Sequence, residues 1–372
     1  MKKTVEGLIT IVHPEGKLKK SDVVFYNPEM RFNRDISVLA LSAFAQEKKQ
    51  NKHKVVVADV LAASGIRALR YAKEVDGVDE IIVNDISPTA VKIIKKNFSS
   101  NKIRKKIKML IANVDANHLL SKFKYGIDFI DIDPFGSPIQ FLDSAARAVS
   151  VHGLLGVTAT DTAPLSGTYP EKCLIRYGSR SMHGELGHEV GMRILIKNII
   201  LECAKYEKAF VPALSFADKH YFRIIGKVLR GKKLLKDAIG KIGYLVYCKN
   251  CKARWFATLP TFECSKCKNK ENFDYAGQLF TGKLFDSHFI SKMYEICDEE
   301  AYFADAVFKF LEIVKKESKV DGLTYDLHEL LGGTSSMPTT KEVLEKLKKN
   351  KIKAAVSHYA GHVIRAEKFL FD

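Results

Sequence analysis

Short apolar runs that alternate with helical patterns most constrain how this chain folds. Five of them lie at residues 55–60, 80–85, 107–114, 125–132 and 154–160. Mainly apolar runs of this length are typical of strands that are buried on both faces of a parallel sheet. Two further runs, at 213–216 and 221–229, are close enough in sequence to form a hairpin. Residues 1–231 are therefore predicted to form an α/β domain around a mostly parallel, twisted sheet.

The remaining segments are assigned from their local patterns. Residues 1–18 predict a hairpin, residues 21–35 are interpreted as an ordered loop, and residues 36–48 have a helical pattern. After residue 231 the alternation stops, and the patterns predict helices at 287–316, 324–331 and 340–350 and a hairpin at 354–366. Residues 232–372 are therefore predicted to form a second, smaller α+β domain.

One apolar run ends in a group of residues suited to holding a planar amine. The stretch YGIDFIDIDPFGSP (125–138) breaks at Asp133-Pro134-Phe135-Gly136. Ligands of open α/β sheets bind outside the carboxyl ends of the strands, so these residues are predicted to lie at the mouth of a crevice. A plain strand followed by a Pro-Gly turn explains the same residues, and this stretch alone leaves both interpretations open.

The ends of the neighbouring runs indicate which cofactor the crevice holds. The first turn, ADVLAASGIRALR, has neither the GxGxxG nor the GxxxxGK[ST] pattern that binds diphosphates. Asp85 ends the second run, where an acidic residue binds ribose hydroxyls, and Asp115-Ala116 follow the third, where an adenine edge is recognised. A nucleoside without a diphosphate indicates S-adenosylmethionine, and with it a Rossmann-like methyltransferase domain. The alternative for Asp85 is that it only caps the next helix.

With that cofactor, Asp133-Pro134-Phe135-Gly136 occupies the position of the [DN]PP[FY] element of amino-methyltransferases. Hydrogen bonds from the amine to Asp133 and to the Pro134 carbonyl would favour an sp³ nitrogen and aim it at the methyl group. Phe135 would stack on an extruded base. Asp161, at another strand end, either assists this amine or holds a loop.

Matching stretches along the whole chain resemble the tRNA (guanine-26) N2-dimethyltransferase family in its shorter archaeal form. They include VFYNPEMRFNRD, LAASGIRALRYAKE, VNDISPTAV, DIDPFGSP, TATDTAPLSGTYPEKCLIRYGSRS, SFADKHYFRI and YDLHELL. The resemblance implies that the protein transfers one and then two methyl groups from S-adenosylmethionine to N2 of guanine-26 in tRNA.

The same resemblance implies roles for individual residues. Asp133 would be the catalytic carboxylate, and Phe25 and Phe135 would enclose the guanine. From the residues alone, an aromatic in a loop such as Phe25 is more often a core anchor. The implied cofactor contacts are Arg34, Arg67, Asp85, Asp115 and Ala116.

Four of the seven cysteines form a metal-binding pattern. Cys248 and Cys251 are separated by twelve residues from Cys264 and Cys267. Two CxxC pairs with such a spacing are typical of a closed, structural Zn²⁺ site with four thiolates. The alternatives are four unligated cysteines or two disulfides, although an odd cysteine count argues against a disulfide framework.

The composition limits which classes of partner the protein is expected to bind. The formal net charge is +17 and the pI is about 9.3, which favours a polyanionic partner, although a lysine-rich proteome would give the same excess. The second domain is therefore expected to bind the tRNA backbone. Neither a membrane span nor a signal peptide is predicted, so the protein is expected to be a cytoplasmic monomer without an obligate protein partner.

Two other functions remain open at this stage. One is the same chemistry on amines of rRNA or DNA. The other is a zinc-containing RNA-binding protein whose methyltransferase fold has lost its activity. The presence of Asp85, Asp115 and Asp133 argues against the second alternative.

Overall fold

The computed structural model describes residues 1–14, 26–50, 53–104, 106–261, 263–332 and 337–368. It begins with an antiparallel hairpin of β1 (Lys2–Glu6) and β2 (Ile9–His13), which confirms the predicted hairpin. Helix α1 (Arg31–Gln50) follows. It begins earlier than predicted, because Asn27 and Pro28 start a 3-10 turn that leads directly into it. The expected loop at 21–35 is therefore wrong from residue 28 onward, and residues 15–25 lie outside the described part.

A seven-stranded sheet follows. Its elements are β3 (Val56–Asp59), α2 (Ile66–Glu74), β4 (Glu80–Asn84), α3 (Pro88–Ser100), β5 (Lys108–Ala112), α4 (Ala116–Ser121), β6 (Ile127–Ile132), α5 (Ile139–Ala148), β7 (Val149–Ala159), α6 (Thr162–Leu165), α7 (Pro170–Tyr177), α8 (Gly187–Ala204), β8 (Lys208–Asp218) and β9 (Tyr221–Arg230).

The strand order in this sheet creates a crevice. The order is β5-β4-β3-β6-β7-β9-β8, and only β9 runs antiparallel to its neighbours. The chain moves outward from β3 through β4 to β5 and then returns to β6 on the other side of β3. Such a reversal leaves a ligand crevice at the carboxyl ends of β3 and β6. The predicted mostly parallel sheet and its terminal hairpin are confirmed.

The remaining elements form two smaller sheets and five helices within the described ranges. They are α9 (Lys232–Gly240), β10 (Ile242–Cys248), β11 (Arg254–Ala257), β12 (Phe273–Phe280), α10 (Ser287–Glu299), α11 (Asp305–Glu317), β13 (Leu323–Asp326), α12 (Leu327–Leu331), α13 (Thr340–Lys349), β14 (Ala354–Val356) and β15 (Val363–Ala366). One sheet has the order β11-β10-β12 and the other β13-β15-β14.

Two predicted helices in this half are wrong in part. Residues 287–316 form α10 and α11 instead of one helix, and the turn between them lets Tyr294 pack on Phe308 with ring centroids 4.9 Å apart. The segment 324–331 begins as a strand, because β13 pairs with β15 before the short helix α12 starts. The terminal hairpin is confirmed as β14 and β15.

Elements on the two sides of residue 231 pack closely together. Helix α10 contacts α1, and β12 contacts α8. Glu189 in α8 is buried, and its carboxylate accepts hydrogen bonds from Arg365 at 2.9 Å and from the Thr324 hydroxyl at 2.5 Å. The division into domains at residue 231 stays a prediction. In the described ranges, no helix is both long and apolar enough for a membrane span.

Candidate active site

The loop after β3 contains small residues in left-handed conformations. Ala63 has φ 49° and Gly65 has φ 76°, and α2 begins directly after Gly65. Asp85 supports this loop, since one carboxylate oxygen accepts the Ala63 N–H at 2.8 Å and the other the Ser87 N–H at 2.8 Å. Ser87, and not Asp85, caps α3, because its hydroxyl accepts the Ala90 N–H. Asp85 therefore lies at the crevice and shapes it.

Asn84 joins three strand ends, a role that the sequence analysis missed. Its side-chain amide donates to the carbonyls of Val60 at 3.1 Å and Val114 at 3.0 Å, and its oxygen accepts the Val114 N–H at 3.2 Å. Its position could have indicated this role, because Asn84 is a polar residue at the end of an apolar run. This amide fixes the ends of β3, β4 and β5 relative to one another.

Two more predicted residues lie beside this loop. Asp115 caps α4 by accepting the His118 N–H at 3.0 Å, and Ala116 is the buried first residue of that helix. Ile86, directly after Asp85, is 68% exposed. Two carboxylates and an exposed apolar side chain at adjacent strand ends suit the sugar and base of a nucleoside.

The Asp133–Gly136 turn is fixed to the end of β7. Thr160 accepts the Gly136 N–H at 2.6 Å through its hydroxyl and donates its own N–H to the Gly136 carbonyl at 3.0 Å. Gly136 has φ 84°, a conformation that favours glycine. Pro134 is buried, whereas the Phe135 ring is 56% exposed. The turn thus presents a carboxylate and an aromatic face beside the carboxyl end of β6, and their roles toward a substrate stay predictions.

Arg67 connects the crevice to the core. One terminal nitrogen binds the Asp133 carboxylate, and the other donates to the Ser37 hydroxyl at 2.8 Å and to Asp131 at 3.3 Å. Burial alone would lower the pKa of Arg67, but Asp131 and Asp133 raise it well above its usual value. Arg67 therefore stays charged and orients Asp133.

Beneath Arg67 lies a buried ion pair that the sequence analysis did not identify. Both terminal nitrogens of Arg223 bind Asp131, at 2.7 and 2.9 Å, and the Tyr71 hydroxyl donates to it at 2.5 Å. Burial would raise the pKa of Asp131, but Arg223 and Arg67 hold it below its usual value. The sequence contains one indication of this pair, because Asp131 and Arg223 are charged residues inside two otherwise apolar strands.

Asp59, at the end of β3, is a third carboxylate in this cluster. It is buried and accepts the Ala68 N–H at 3.2 Å. Burial raises the pKa of Asp59 to about 7; Arg67 opposes this rise, and Asp131 and Asp133 add to it. The protonated form of Asp59 is therefore favoured up to about neutral pH, whereas Asp131 is held in its charged form.

Arg34 lies in a different network from Arg67. Its guanidinium makes two hydrogen bonds to Glu6 in the N-terminal hairpin, at 2.7 and 2.6 Å, and donates to the Asn27 carbonyl at 3.1 Å. The Tyr26 hydroxyl also donates to Glu6, at 3.2 Å. These contacts anchor the chain just after Phe25, which itself lies outside the described residues. The contact of Arg34 with a cofactor stays a prediction.

Asp161 is paired with two side chains of helix α7. It accepts the Tyr177 hydroxyl at 2.6 Å and Arg176 at 3.2 Å, and both donors belong to α7. Of the two roles considered for Asp161, these contacts favour the one in which it holds a loop.

The four cysteines of the CxxC pairs come together. Their sulfur atoms all lie within 4.8 Å of one another, with Cys248–Cys267 at 3.7 Å and Cys251–Cys264 at 3.5 Å. Sulfurs around a tetrahedral Zn²⁺ are about 3.8 Å apart, so the donor set fits zinc. Both pairs form the same turn, since Lys252 and Lys268, the residues after each pair, have φ 60° and 56°. None of the four is in a disulfide.

A parallel sheet with a switch-point crevice, acidic strand ends and a loop without a diphosphate-binding pattern defines a Rossmann-like class I methyltransferase. The family described as N2,N2-dimethylguanosine tRNA methyltransferase matches residues 4–370, and the chain belongs to this family. The resemblance found in the sequence is confirmed.

Individual relatives agree with this assignment. A tRNA (guanine(26)-N(2)/guanine(27)-N(2))-dimethyltransferase of Aquifex aeolicus is 39% identical over 90% of this chain and 85% of its own length. A tRNA (guanine(26)-N(2))-dimethyltransferase of Methanothermobacter thermautotrophicus is 37% identical over 97% of this chain and 94% of its own. The structure of Trm1 from Pyrococcus horikoshii with S-adenosyl-L-methionine matches with a TM-score of 0.85 at 31% identity, covering 99% of this chain and 97% of the other.

Proposed function

We propose that this protein transfers methyl groups from S-adenosylmethionine to N2 of guanine-26 in tRNA, giving N2-methylguanosine and then N2,N2-dimethylguanosine. The observation that carries the proposal is Asp133, which Arg67 and the Gly136–Thr160 pair fix at the mouth of the switch-point crevice. Membership of the family and the names of the relatives support the same reaction.

The residues at the strand ends fit the cofactor. Asp85 is suited to the ribose hydroxyls, and Asp115 with the Ala116 N–H to the adenine edge. The Ser64 hydroxyl is buried without a partner among the described residues, which leaves a donor beside the small-residue loop. Arg34 and Arg67 are proposed to face the amino-acid part. When bound, S-adenosylmethionine supplies an electrophilic methyl group.

The chain's own residues act on the amine. The Asp133 carboxylate accepts a hydrogen bond from one N2–H group of the guanine, and the Pro134 carbonyl accepts one from the other. These two bonds align the nitrogen lone pair with the methyl group. Asp133 then accepts a proton as positive charge develops on the nitrogen. Phe135 covers one face of the guanine, and Phe25 is proposed to cover the other.

A lysine-rich groove between α11, α13 and β14 is proposed to bind the tRNA backbone. Its rim carries Lys316, Lys319, Lys341, Lys348, Lys351 and Lys353. Ile313, Leu344 and Ile352 are among its apolar lining residues, and Glu345 also lines it. Lysines bind phosphates as point charges, without reading bases, so this surface would supply affinity and not sequence selection.

The four cysteines are proposed to hold a structural Zn²⁺. A site with four protein thiolates leaves no open position for a substrate, so it has no role in methyl transfer. Because the site lies next to β10 and β11, it would stabilise the β11-β10-β12 sheet.

Methyl transfer from labelled S-adenosylmethionine to tRNA transcripts tests the function. Wild-type protein should produce N2-methylated guanosines, identified by mass spectrometry, and a guanine-26 substitution should abolish methylation at that position. A guanine-27 substitution reports whether the neighbouring base is also modified. Equal methylation of the position-26 variant, or activity only on rRNA or DNA, would contradict the proposal. Tight tRNA binding without any methylation would favour the inactive RNA-binding protein.

A further inference from the structure

A second group of potential metal ligands lies far from the cysteines in sequence. The ligand atoms of Asp326, His328 and His362 all lie within 4.8 Å of one another. The two imidazole rings are stacked, with centroids 4.0 Å apart and planes 6° apart. Asp326 ends β13, His328 lies in α12, and His362 directly precedes β15. We propose that these three residues form a binding site for a divalent transition-metal ion.

The backbone holds the three side chains in place. The Leu327 N–H donates to the His362 carbonyl at 3.0 Å, next to the β13–β15 ladder in which Asp326 is opposite Val363. One Asp326 oxygen accepts the N–H groups of His328 at 2.8 Å and of Glu329 at 3.2 Å. The other oxygen points toward His362. The backbone around the three residues is therefore fixed before any ion arrives, and one imidazole would rotate out of the stack so that both rings direct a nitrogen at the same ion.

The distances suit a bridging ion. His362 Nε2 and Asp326 Oδ2 are 3.4 Å apart. Nitrogen and oxygen ligands of a tetrahedral Zn²⁺ are about 3.3 Å apart, whereas a direct N–H···O bond is usually 2.7–3.2 Å long. Two imidazoles and one carboxylate favour Zn²⁺, Co²⁺ or Ni²⁺ over Mg²⁺ or Ca²⁺.

The surroundings leave room for the ion and favour positive charge. The Asp326 and His362 side chains are 19% and 37% exposed, so water can complete the coordination. Glu185 lies next to the three ligands, since its carboxylate accepts the Asp326 N–H at 3.3 Å. Arg254, the nearby cation, is buried and already paired with Glu185 at 2.9 Å. An ion here would link residues 326 and 362 and hold the end of β13 against the terminal hairpin.

Cobalt binding to the full chain separates the two sites. The protein is first loaded with one equivalent of Zn²⁺ for the four thiolates and is then titrated with Co²⁺. Wild-type protein should bind one further equivalent, with visible d–d bands and without the thiolate-to-cobalt charge-transfer band that a cysteine site gives. His362→Ala and Asp326→Asn should lose this second equivalent.

The variants include their own controls. Asn can still cap α12, so Asp326→Asn removes the carboxylate ligand while the helix cap remains. His288→Ala removes an exposed histidine outside the site and should bind Co²⁺ like wild type. A wild-type protein that binds no second equivalent at micromolar Co²⁺ would overturn the proposal. Unchanged second-site binding in both His362→Ala and Asp326→Asn would overturn it too.

Discussion

Arg223 and Asp131 form a fully buried, two-point ion pair beneath the candidate catalytic carboxylate, with nitrogen–oxygen distances of 2.7 and 2.9 Å. Removing one partner of a buried pair typically costs about 3–5 kcal/mol, and loss of Arg223 would leave the Asp131 charge with only the longer Arg67 contact, at 3.3 Å, and the Tyr71 hydroxyl. We therefore expect Arg223→Met to lower the free energy of unfolding by about that amount. Chemical denaturation measures this change.

Arg223→Lys provides a graded comparison. A lysine keeps the charge but cannot make two parallel hydrogen bonds to Asp131, so its loss should be smaller than that of methionine but still measurable. The double variant Arg223→Met with Asp131→Leu should be more stable than Arg223→Met alone, because no unpaired charge remains. If Arg223→Met unfolds at the wild-type denaturant concentration, the pair does not contribute as described.

Asp133→Asn should reduce the rate of methyl transfer far more than the affinity for tRNA. Loss of a positioned general base typically lowers a rate by about 10²–10⁴-fold. We expect kcat to fall by at least about 10²-fold, with little change in the Kd for tRNA. Single-turnover methylation and filter binding give the two values. Asp143→Asn, a change at a half-exposed carboxylate on α5, should leave both near wild type. Near-normal turnover in Asp133→Asn would remove this residue from the mechanism.

The lysine groove should determine how tRNA binding responds to salt. Each phosphate contact contributes about 0.7–0.9 to the slope of log Kd against log salt concentration. Replacing Lys348, Lys351 and Lys353 with alanine should therefore reduce the slope by about 2–3 and weaken binding to all tRNAs alike.

Three exposed lysines of α3 serve as the matched control for that measurement. Lys92, Lys95 and Lys96 carry the same total charge on a different surface. Their alanine variant should keep most of the wild-type slope. Equal loss in both triple variants would mean that net charge, and not the groove, governs binding.

Asp59 should make stability depend on pH. Its pKa in the folded protein is about 7, above the ordinary 3.8, so folded protein binds the proton more tightly than unfolded protein. The stability associated with protonated Asp59 is present at low pH and is lost as pH rises from about 4 through 7. Asp59→Asn should reduce this loss and be more stable than wild type at pH 8, by on the order of 1–4 kcal/mol. Unfolding at several pH values would show parallel curves for the two proteins if Asp59 were not responsible.

Removing zinc should destabilise the β11-β10-β12 sheet. A structural zinc site contributes directly to folding, so a strong chelator should lower the thermal midpoint and expose the thiols. Cys251→Ser should have a lower midpoint than wild type in zinc, whereas Cys173→Ser, outside the cluster, should retain its response to the chelator. A midpoint that the chelator leaves unchanged in metal-loaded protein would contradict a structural role.

Much of the sheet and of the crevice was predictable because both depend on local patterns. Apolar runs identified the strands, and their acidic ends identified Asp85, Asp115 and Asp133 at one edge. The partners of buried charges were not predictable in the same way. Asp131 and Arg223 are 92 residues apart, and a lone charge in an apolar strand does not say which distant residue compensates it. The start of α1 was missed because Asn27 and Pro28 determine it, before the apolar period begins.

The buried contact of Glu189 with Arg365 has a consequence for dividing the chain. A fragment that ends at residue 231 keeps Glu189 but lacks both Arg365 and Thr324, which satisfy its carboxylate. Arg193, in the same helix, would still pair with Glu189 at 2.7 Å, but the buried face of α8 that contacts β12 would be exposed to water. Truncation at the apparent boundary should yield insoluble or partly folded protein. We expect the two halves to unfold as one cooperative unit, so calorimetry of the intact chain should show a single transition.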